Sequence, residues 1–322
     1  MKLLSVLLAG GALLPLTAAY ASDATSFPEK PITVVVPFTA GAGPDVLTRE
    51  LARIVSEETG QPVIVNNRPG ASSSIAAQAV AKAPADGYTV LLTGNVAMTG
   101  NRHTFKQLSY DPVTDFAPIT TVARGPMILY VSTENIGATS IGELADFARS
   151  RPQPLRFAYT SITGRLPAEM LKLRTGIQLE GVAYKSGAQA LPDLVAGRID
   201  LSFTDLSAWT YVEQGKLRPL AVTDSKRSSY VPDLPTMQEA GLKDVSVPFW
   251  LGVYAPAGTP APIVDRLNRL FGEASKSATA QHVHKFMGTE PFHTTPKELA
   301  VFQEKEAEQW GQAIREAGIE LQ

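Results

Sequence analysis

Residues 32–45 read Ile-Thr-Val-Val-Val-Pro-Phe-Thr-Ala-Gly-Ala-Gly-Pro-Asp, an apolar β-branched run followed by small residues. Its β-branched run, Ile32–Val36, predicts a buried strand, and the glycines and prolines that follow predict a tight turn. Beyond the turn, Leu47, Leu51 and Val55 recur at helical spacing, which indicates an amphipathic helix. A strand, a glycine-rich loop and a helix in this order begin a parallel α/β unit.

The same alternation continues along the chain. Strands are predicted at residues 63–65 and 88–93, with an alanine-rich helix between them. The rhythm restarts near residue 155, with strands ending near 159, 184, 203 and 222 and helices predicted at 166–174, 187–196 and 207–214. A final amphipathic helix from Pro296 is expected to pack on a domain. The fold class is therefore α/β, with two doubly wound domains.

Two segments near residues 120–130 and 249–257 are predicted to cross between the domains, because both combine strand-like residues with Gly and Pro. One domain is then expected to comprise residues 22–124 plus 252–322, and the other residues 125–251. Ligands of open α/β sheets bind beyond the carboxyl ends of the strands, so we expect a ligand cleft between the domains.

Residues 1–21 resemble a secretory signal peptide. A single early charge, Lys2, precedes an apolar run that ends in the small-x-small site Ala19-Tyr20-Ala21. The run is too short to span a bilayer, and no later stretch approaches the roughly 18 apolar residues that a membrane helix needs. We therefore expect cleavage after Ala21 and a periplasmic mature protein.

Composition excludes several classes of function. The net charge is −2, so no basic field is present to hold nucleic acid. The absence of cysteine excludes disulfides, thiolate catalysis and Cys-ligated zinc. An exported chain without disulfides is stabilised by its core, which is typical of a large bacterial periplasmic protein. We expect a monomer.

The first candidate site is the loop between the strand at 32–36 and the helix after it. Small residues there let a ligand approach the backbone, and a helix N-terminus offers free N–H groups and partial positive charge. This indicates an anion site without a basic side chain, and the loop has neither a Walker lysine nor G-x-G-x-x-G spacing. An alternative is a simple tight turn. The candidate ligand-binding residues here are Phe38, Thr39, Ala40, Gly41 and Ala42.

Matching loops follow other predicted strands. One precedes the helix at 166–174 and carries hydroxyls and an arginine suited to clamp a carboxylate, although that arginine is equally consistent with a solvated surface charge. A second, at 70–74, opens another helix with small donors. The remaining candidates lie at strand ends. Together these ligand-binding residues are Ser72, Ser73, Thr93, Asn95, Tyr159, Thr160, Ser161, Thr163, Gly164, Arg165, Tyr184, Thr204 and Asp205.

The sequence favours no enzyme. The four histidines, at 103, 282, 284 and 293, lack the H-E-x-x-H arrangement, so we expect surface histidines and no metal site. No G-x-S-x-G elbow indicates a serine hydrolase, and no acid/base pair is identifiable. We therefore expect no cofactor and no catalytic residue.

Ordered motifs along the whole mature chain resemble the periplasmic substrate-binding proteins of tripartite tricarboxylate transporters, the Bug family. The markers include Phe27-Pro28-Glu29-Lys30-Pro31-Ile32, Asn67-Arg68-Pro69-Gly70-Ala71, Asp86-Gly87-Tyr88, Gly197-Arg198-Ile199-Asp200 and Ala255-Pro256-Ala257-Gly258-Thr259-Pro260. The resemblance implies a type II-like periplasmic-binding-protein arrangement whose two domains clasp a small organic carboxylate, di- and aromatic carboxylates among the options. It also implies membrane permease subunits as partners.

The chain departs from the family pattern at informative positions. The loop before Arg165 is about four residues shorter than usual, which favours a wider cleft or a second carboxylate on the ligand. Thr204 stands where relatives often have an Asp that can hold an ammonium group, which favours a ligand without an amine. Two alternatives stay open: a ligand-presenting component for a membrane sensor kinase, and a secreted hydrolase.

Overall fold

A computed structural model of the protein describes residues 26–243 and 245–321, which form two five-stranded sheets with helices on both faces. The strands are β1 Ile32–Val36, β2 Val63–Asn67, β3 Thr89–Gly94, β4 Phe116–Gly125, β5 Ile128–Ser132, β6 Leu155–Tyr159, β7 Leu179–Ala183, β8 Leu201–Thr204, β9 Leu217–Val222 and β10 Phe249–Pro256. The helices are α1 Gly43–Thr59, α2 Ser74–Ala81, α3 Ile141–Arg149, α4 Ile162–Thr175, α5 Gly187–Val195, α6 Trp209–Glu213, α7 Ala261–Lys276, α8 Ala278–Met287 and α9 Pro296–Glu316. The predicted α/β class is confirmed.

The first sheet has the strand order β2-β1-β3-β10-β4. β1 is parallel to both neighbours, and Val34 pairs with Val65 on one side and Val90 on the other. β10 runs antiparallel to β3 and β4. One face is covered by α1, α7 and α8 and the other by α2 and α9, so the strands are buried on both faces and read as apolar runs.

The second sheet repeats this plan with the order β7-β6-β8-β5-β9. β6 is parallel to β7 and β8, whereas β5 is antiparallel to β8 and β9. α3 and α4 cover one face, and α5 and α6 cover the other. Along β5, Leu129 and Val131 face the first of these layers and Ile128 and Tyr130 the second, as strand alternation requires.

The two sheets are joined by the short link from β4 to β5, by the segment between β9 and β10, and by α9. Helix α9 is amphipathic, as predicted, but it packs on both cores: Leu299 joins the core of the first sheet, whereas Trp310 and Ile314 join that of the second. A capping box at Thr295 and Glu298 fixes its start. The domain limits stay a prediction.

Within the described residues, no helix has both the length and the apolar character needed to cross a bilayer. The predicted signal peptide, at residues 1–21, lies outside the described part of the chain.

Candidate functional site

Each sheet has a topological switch point at a parallel strand, β1 in the first sheet and β6 in the second. From β1 the chain moves to β2 on one side and then to β3 on the other; from β6 it moves to β7 and then to β8. Ligands of open α/β sheets bind in the crevice that such a reversal opens at the carboxyl ends of the strands. The loops that follow β1 and β6 therefore mark the candidate site.

The carboxyl edges of the two sheets face each other. A β-carbon built on Gly43, the first residue of α1, would lie 3.6 Å from Oδ2 of Asp205, which follows β8. A β-carbon on Gly100 would lie 2.9 Å from Cγ2 of Ile162, the first residue of α4. The starts of α1 and α4 thus lie on opposite walls of a narrow cleft.

The loop after β1 is held in shape by the buried carboxylate of Asp45. This group accepts hydrogen bonds from the Gly41 N–H at 2.8 Å, Asn67 Nδ2 at 2.6 Å and Arg49 Nε at 2.9 Å. Burial alone would raise the pKa of Asp45, but these hydrogen bonds bring that pKa below its usual value. Asp45, Asn67 and Arg49 are positioning residues that the sequence reading did not select as ligand-binding, and the Asp45–Asn67 pair at the centre of the network spans 22 positions.

The hydrogen bonds within the loop divide its predicted N–H donors into those with an internal acceptor and those without one. The N–H groups of Gly41 and Ala42 are used internally, by Asp45 and by the Thr39 carbonyl. Thr39 and Ala40 are exposed, and within the described residues their N–H groups and that of Gly43 donate to no protein acceptor. The 17-residue helix α1 adds its partial positive charge at the same place. Phe38 packs against the core of the first sheet.

The loop after β6 is shorter than predicted, because α4 begins at Ile162 rather than at Leu166. Thr163, Gly164 and Arg165 are therefore helical, and their assignment to a loop was wrong. The extended backbone of Ser161 ends the loop, and its carbonyl accepts from the N–H groups of Gly164 and Arg165.

Two residues of this first turn, Gly164 and Thr163, are buried. A β-carbon on Gly164 would lie 3.3 Å from the Phe203 carbonyl oxygen, so glycine lets α4 pack closely on β8. Thr163 is buried, and its Oγ1 has no hydrogen-bond partner in the part of the chain that the structure describes. Thr160 is exposed and Ser161 half-buried at the cleft end of β6.

Arg165 is neither a free clamp nor a freely solvated charge. Its guanidinium carbon lies 5.5 Å from the centre of the Tyr159 ring, and its Nε lies 3.4 Å from Oε1 of Glu169, one turn along α4. The side chain is 27% exposed. An anion at the start of α4 would thus compete with Glu169 for this guanidinium.

Asp205 is the acidic group of the second wall. Its Oδ1 accepts hydrogen bonds from the N–H of Ser207 at 3.1 Å and from the Ser207 hydroxyl. Its carbonyl accepts from Tyr130 Oη at 3.3 Å, and burial raises the pKa of the carboxyl. Thr204 precedes it at the end of β8, whereas Tyr184 turns its hydroxyl to Asp193 at 2.8 Å.

The remaining candidates lie on the first wall. Asn95 is buried, donates through Nδ2 to the Pro248 carbonyl at 3.0 Å, and has no partner for Oδ1 among residues 26–243 and 245–321. Thr93 is buried within β3. Ser72 and Ser73 have left-handed backbones, with φ of 48° and 72°, and Asn101 Nδ2 holds the Ser72 carbonyl at 2.7 Å.

The histidines offer no metal site. Described residues contain no group of three or more His, Cys, Asp or Glu side chains that could hold a metal ion. The expectation of surface histidines fails for His284, which is fully buried and bonded to Thr289 Oγ1 and the Ser275 carbonyl. Burial lowers its pKa to about 4, so it is neutral. It lies on the inner face of α8, and its exposed neighbours His282 and Lys285 made the whole segment look solvent-exposed in the sequence.

A family model, curated relatives and solved structures all relate the chain to one family. A family model described as "Tripartite tricarboxylate transporter family receptor" matches residues 47–319. Protein BugT of Bordetella pertussis is 33% identical over 303 residues, 93% of each chain. The R. palustris protein Rpa4515, solved with adipate, is 37% identical, with a TM-score of 0.86 over 92% of this chain and 100% of its own. MatC from Rhodopseudomonas palustris, solved with bound malate, is 28% identical, with a TM-score of 0.81 over 89% of this chain and 100% of its own.

Proposed function

The chain belongs to the tripartite tricarboxylate transporter receptor family, and from this premise we propose that it captures a small organic carboxylate in the cleft between its sheets. One observation carries the proposal: the starts of α1 and α4 belong to opposite walls of the cleft, since Gly43 lies against Asp205 and Ile162 lies against Gly100. At the start of α1 the N–H groups of Thr39, Ala40 and Gly43 have no protein acceptor among the described residues. A helix N-terminus on each wall favours an anion with an acceptor at each end.

The two sides would share the ligand. On the first wall the backbone N–H groups of the loop after β1 bind one carboxylate, with Thr39 adding its hydroxyl. On the second wall Ser161, Thr163 and Arg165 bind the other end. Thr163 Oγ1 and Asn95 Oδ1, which are without hydrogen-bond partners within the described residues, are suited to the ligand or to water that bridges to it. Ser72, Ser73, Thr93, Tyr184 and Thr204 complete the proposed set.

The relatives support a dicarboxylate. Adipate and malate, the molecules named with two of the similar structures, are both small acids with a carboxylate at each end. We therefore propose that the ligand is an aliphatic dicarboxylate rather than an aromatic acid. We propose that the role of the protein is capture and release rather than turnover.

We further propose that the protein works in the periplasm after cleavage at Ala21 and delivers its ligand to membrane permease subunits. A sensor kinase that reads the closed form is the second candidate partner. Deletion of the permease genes separates the two: loss of uptake of the ligand supports delivery, whereas intact uptake with loss of ligand-induced gene expression on deletion of the kinase supports sensing.

A thermal-shift screen of mono-, di- and tricarboxylates tests the binding proposal. A ligand present at a hundred times its dissociation constant stabilises the folded state by about 2.7 kcal/mol, which raises Tm measurably. We expect the largest shifts with four- to six-carbon dicarboxylates. A screen in which no carboxylate raises Tm would contradict the proposal.

A further inference from the structure

Each connection between the two sheets contributes one charged side chain to a single cluster behind the cleft. Arg124 lies near the end of β4, Asp224 follows β9, and Glu306 lies in the middle of α9. Arg124 and Asp224 form an ion pair, and the charges of both act on the carboxyl of Glu306. The three residues are nevertheless about 80 to 180 positions apart in sequence. None of the three belongs to the cleft loops described above.

The guanidinium of Arg124 is only partly satisfied. Its Nη2 lies 3.3 Å from Oδ1 of Asp224, an oxygen that already accepts the Ser225 N–H at 2.7 Å. Its Nε is buried and has no hydrogen-bond partner among the described residues. The backbone is fixed, because Arg124 exchanges both backbone hydrogen bonds with Glu290, at 3.0 and 2.7 Å. The side chain, not the backbone, is therefore the adjustable part.

Glu306 is likewise short of hydrogen-bond partners, but as an acceptor. Its side chain is buried, and Oε2 is without a partner in the described chain. The indole N–H groups of Trp250 and Trp310 face this carboxyl, yet neither reaches direct hydrogen-bond geometry. Burial raises the pKa of Glu306, whereas the positive charge of Arg124 acts in the opposite direction.

A buried N–H and a buried carboxylate oxygen are each costly to leave without a hydrogen-bond partner. The elements explain how they can meet. Arg124 and Trp250 are paired in the first sheet, and the Trp250 ring packs on Phe302 of α9, one turn before Glu306, so Arg124 and Glu306 are both connected to Trp250. Asp224 follows β9, a strand of the second sheet.

We propose that Arg124 is a hinge switch whose guanidinium passes from Asp224 to Glu306 as the two sheets rotate apart. In the structure the cleft walls touch and Arg124 binds Asp224; in the open form Asp224 withdraws and Glu306 accepts from Arg124. The three residues therefore set the fraction of molecules with a closed cleft. Apparent affinity is reduced by that fraction, so they also tune binding without touching the ligand.

Substitutions of the two acids should act in opposite directions. Glu306→Gln removes the partner of the open form and shifts the population toward closure. Asp224→Asn weakens the partner of the closed form and shifts the population toward opening. Asp146→Asn, on an exposed ion pair of α3, is the matched control and should change nothing.

Distance measurements between two spin labels test the switch directly. The chain contains no cysteine, so exposed Lys82 at the end of α2 and Gln189 in α5 can be replaced by cysteine and labelled uniquely. We expect Glu306→Gln to enrich the shorter distance and Asp224→Asn the longer one. Equal distributions in all variants, or shifts of both acid variants in the same direction, would overturn the switch.

A double substitution keeps the test decisive if one acid variant folds poorly. Arg124→Gln removes the shared partner, so adding Glu306→Gln to it should no longer change the distance distribution. A shift that persists in the double variant would show that Glu306 acts without Arg124 and would contradict the proposal.

Affinity provides a separate readout that rests on the proposed function. With adipate as the probe, Glu306→Gln should bind at least threefold more tightly than the parent and Asp224→Asn at least threefold more weakly. Failure of adipate and the other dicarboxylates to bind any form refutes the proposed function, whereas the distance measurement still decides the switch. Binding by all forms with equal affinity contradicts the switch alone.

Discussion

The carboxylate of Asp205 lies against the first residue of α1, Gly43, although the two residues belong to opposite walls of the cleft. The separation is 3.6 Å from Oδ2 to the position of a β-carbon on Gly43. An acidic group thus lies beside the N–H groups of α1 to which a ligand carboxylate is proposed to bind. Because two carboxylates repel each other, we expect Asp205 to influence which ligands bind.

Asp205→Asn should strengthen the binding of a dicarboxylate. Two unit charges about 4 Å apart repel by about 1 kcal/mol even at the dielectric constant of water, so we expect a gain of about fivefold or more. Because burial raises the pKa of Asp205, the acid becomes neutral as pH falls toward that raised pKa, and parental affinity should rise with it.

Calorimetric titration of parent and Asp205→Asn at a series of pH values checks this. Protonation of the ligand affects both proteins equally, so the ratio of their affinities isolates Asp205. We expect the ratio to shrink as pH falls. A ratio that stays near one at every pH would show that Asp205 does not meet the ligand.

Arg165→Ala should weaken dicarboxylate binding at least tenfold. A hydrogen bond to a charged group contributes about 1.5–3 kcal/mol, and the change also leaves Glu169 with Lys172 alone as its cationic neighbour among the described residues. The matched variant is Glu169→Gln, which releases Arg165 from its ion pair and should tighten binding. Denaturant unfolding without ligand should differ little for Arg165→Ala. Unchanged affinity in both variants would assign Arg165 a surface role.

Asp45→Ala should destabilise the protein by about 3 kcal/mol, because it removes a buried, hydrogen-bonded acceptor and leaves the Gly41 N–H and Asn67 without it. The folded-state pKa of Asp45 is lowered. Its contribution to the free energy of unfolding is therefore present above the unfolded-state pKa and is lost as pH falls through the folded-state pKa. Urea unfolding of parent and variant at neutral and acid pH measures the loss of stability and its pH dependence. Equal stability of the two proteins at neutral pH would show that Asp45 does not stabilise the loop.

His284 should make the protein sensitive to mild acid. Its pKa is lowered from 6.5 to about 4, so the unfolded state binds a proton first. Folding stability then falls as pH decreases from about 6.5 to 4, by about 3 kcal/mol from this residue. His284→Asn should flatten that part of the profile of unfolding free energy against pH. An identical profile in parent and variant would assign the acid sensitivity to other groups.

Local sequence patterns were sufficient for much of this architecture. The apolar run at Ile32–Val36 and the small residues behind it predicted both the strand and the loop where α1 begins. The start of α4 was misplaced because Leu166-Pro167 looks like a helix entry, whereas the extended Ser161 forms it four residues earlier. A proline inside the helix is tolerated there by packing that a local pattern does not encode.

The rest depends on distant pairs. Asp45 with Asn67, and Asp205 with Gly43, come together only when strands pair and sheets face each other, so no local spacing predicts them. His284 was misassigned because exposed neighbours such as His282 and Lys285 hide the inner face of α8. Sequence reading proposed the loops of the candidate site, and the structure shows which of their N–H groups have no protein acceptor among the described residues.

Isothermal titration of adipate and malate into the parent and into Gly43→Phe tests whether a carboxylate binds between the two sheets. A β-carbon on Gly43 would already lie 3.0 Å from Met287 Cγ and 3.6 Å from Asp205 Oδ2, so a phenylalanine must fill the cleft between the walls. We predict one saturable site in the parent and in the control Asp146→Asn, and no detectable binding in Gly43→Phe. Failure of the parent to bind any dicarboxylate, or equal binding by a folded Gly43→Phe protein, would contradict a carboxylate site between the sheets.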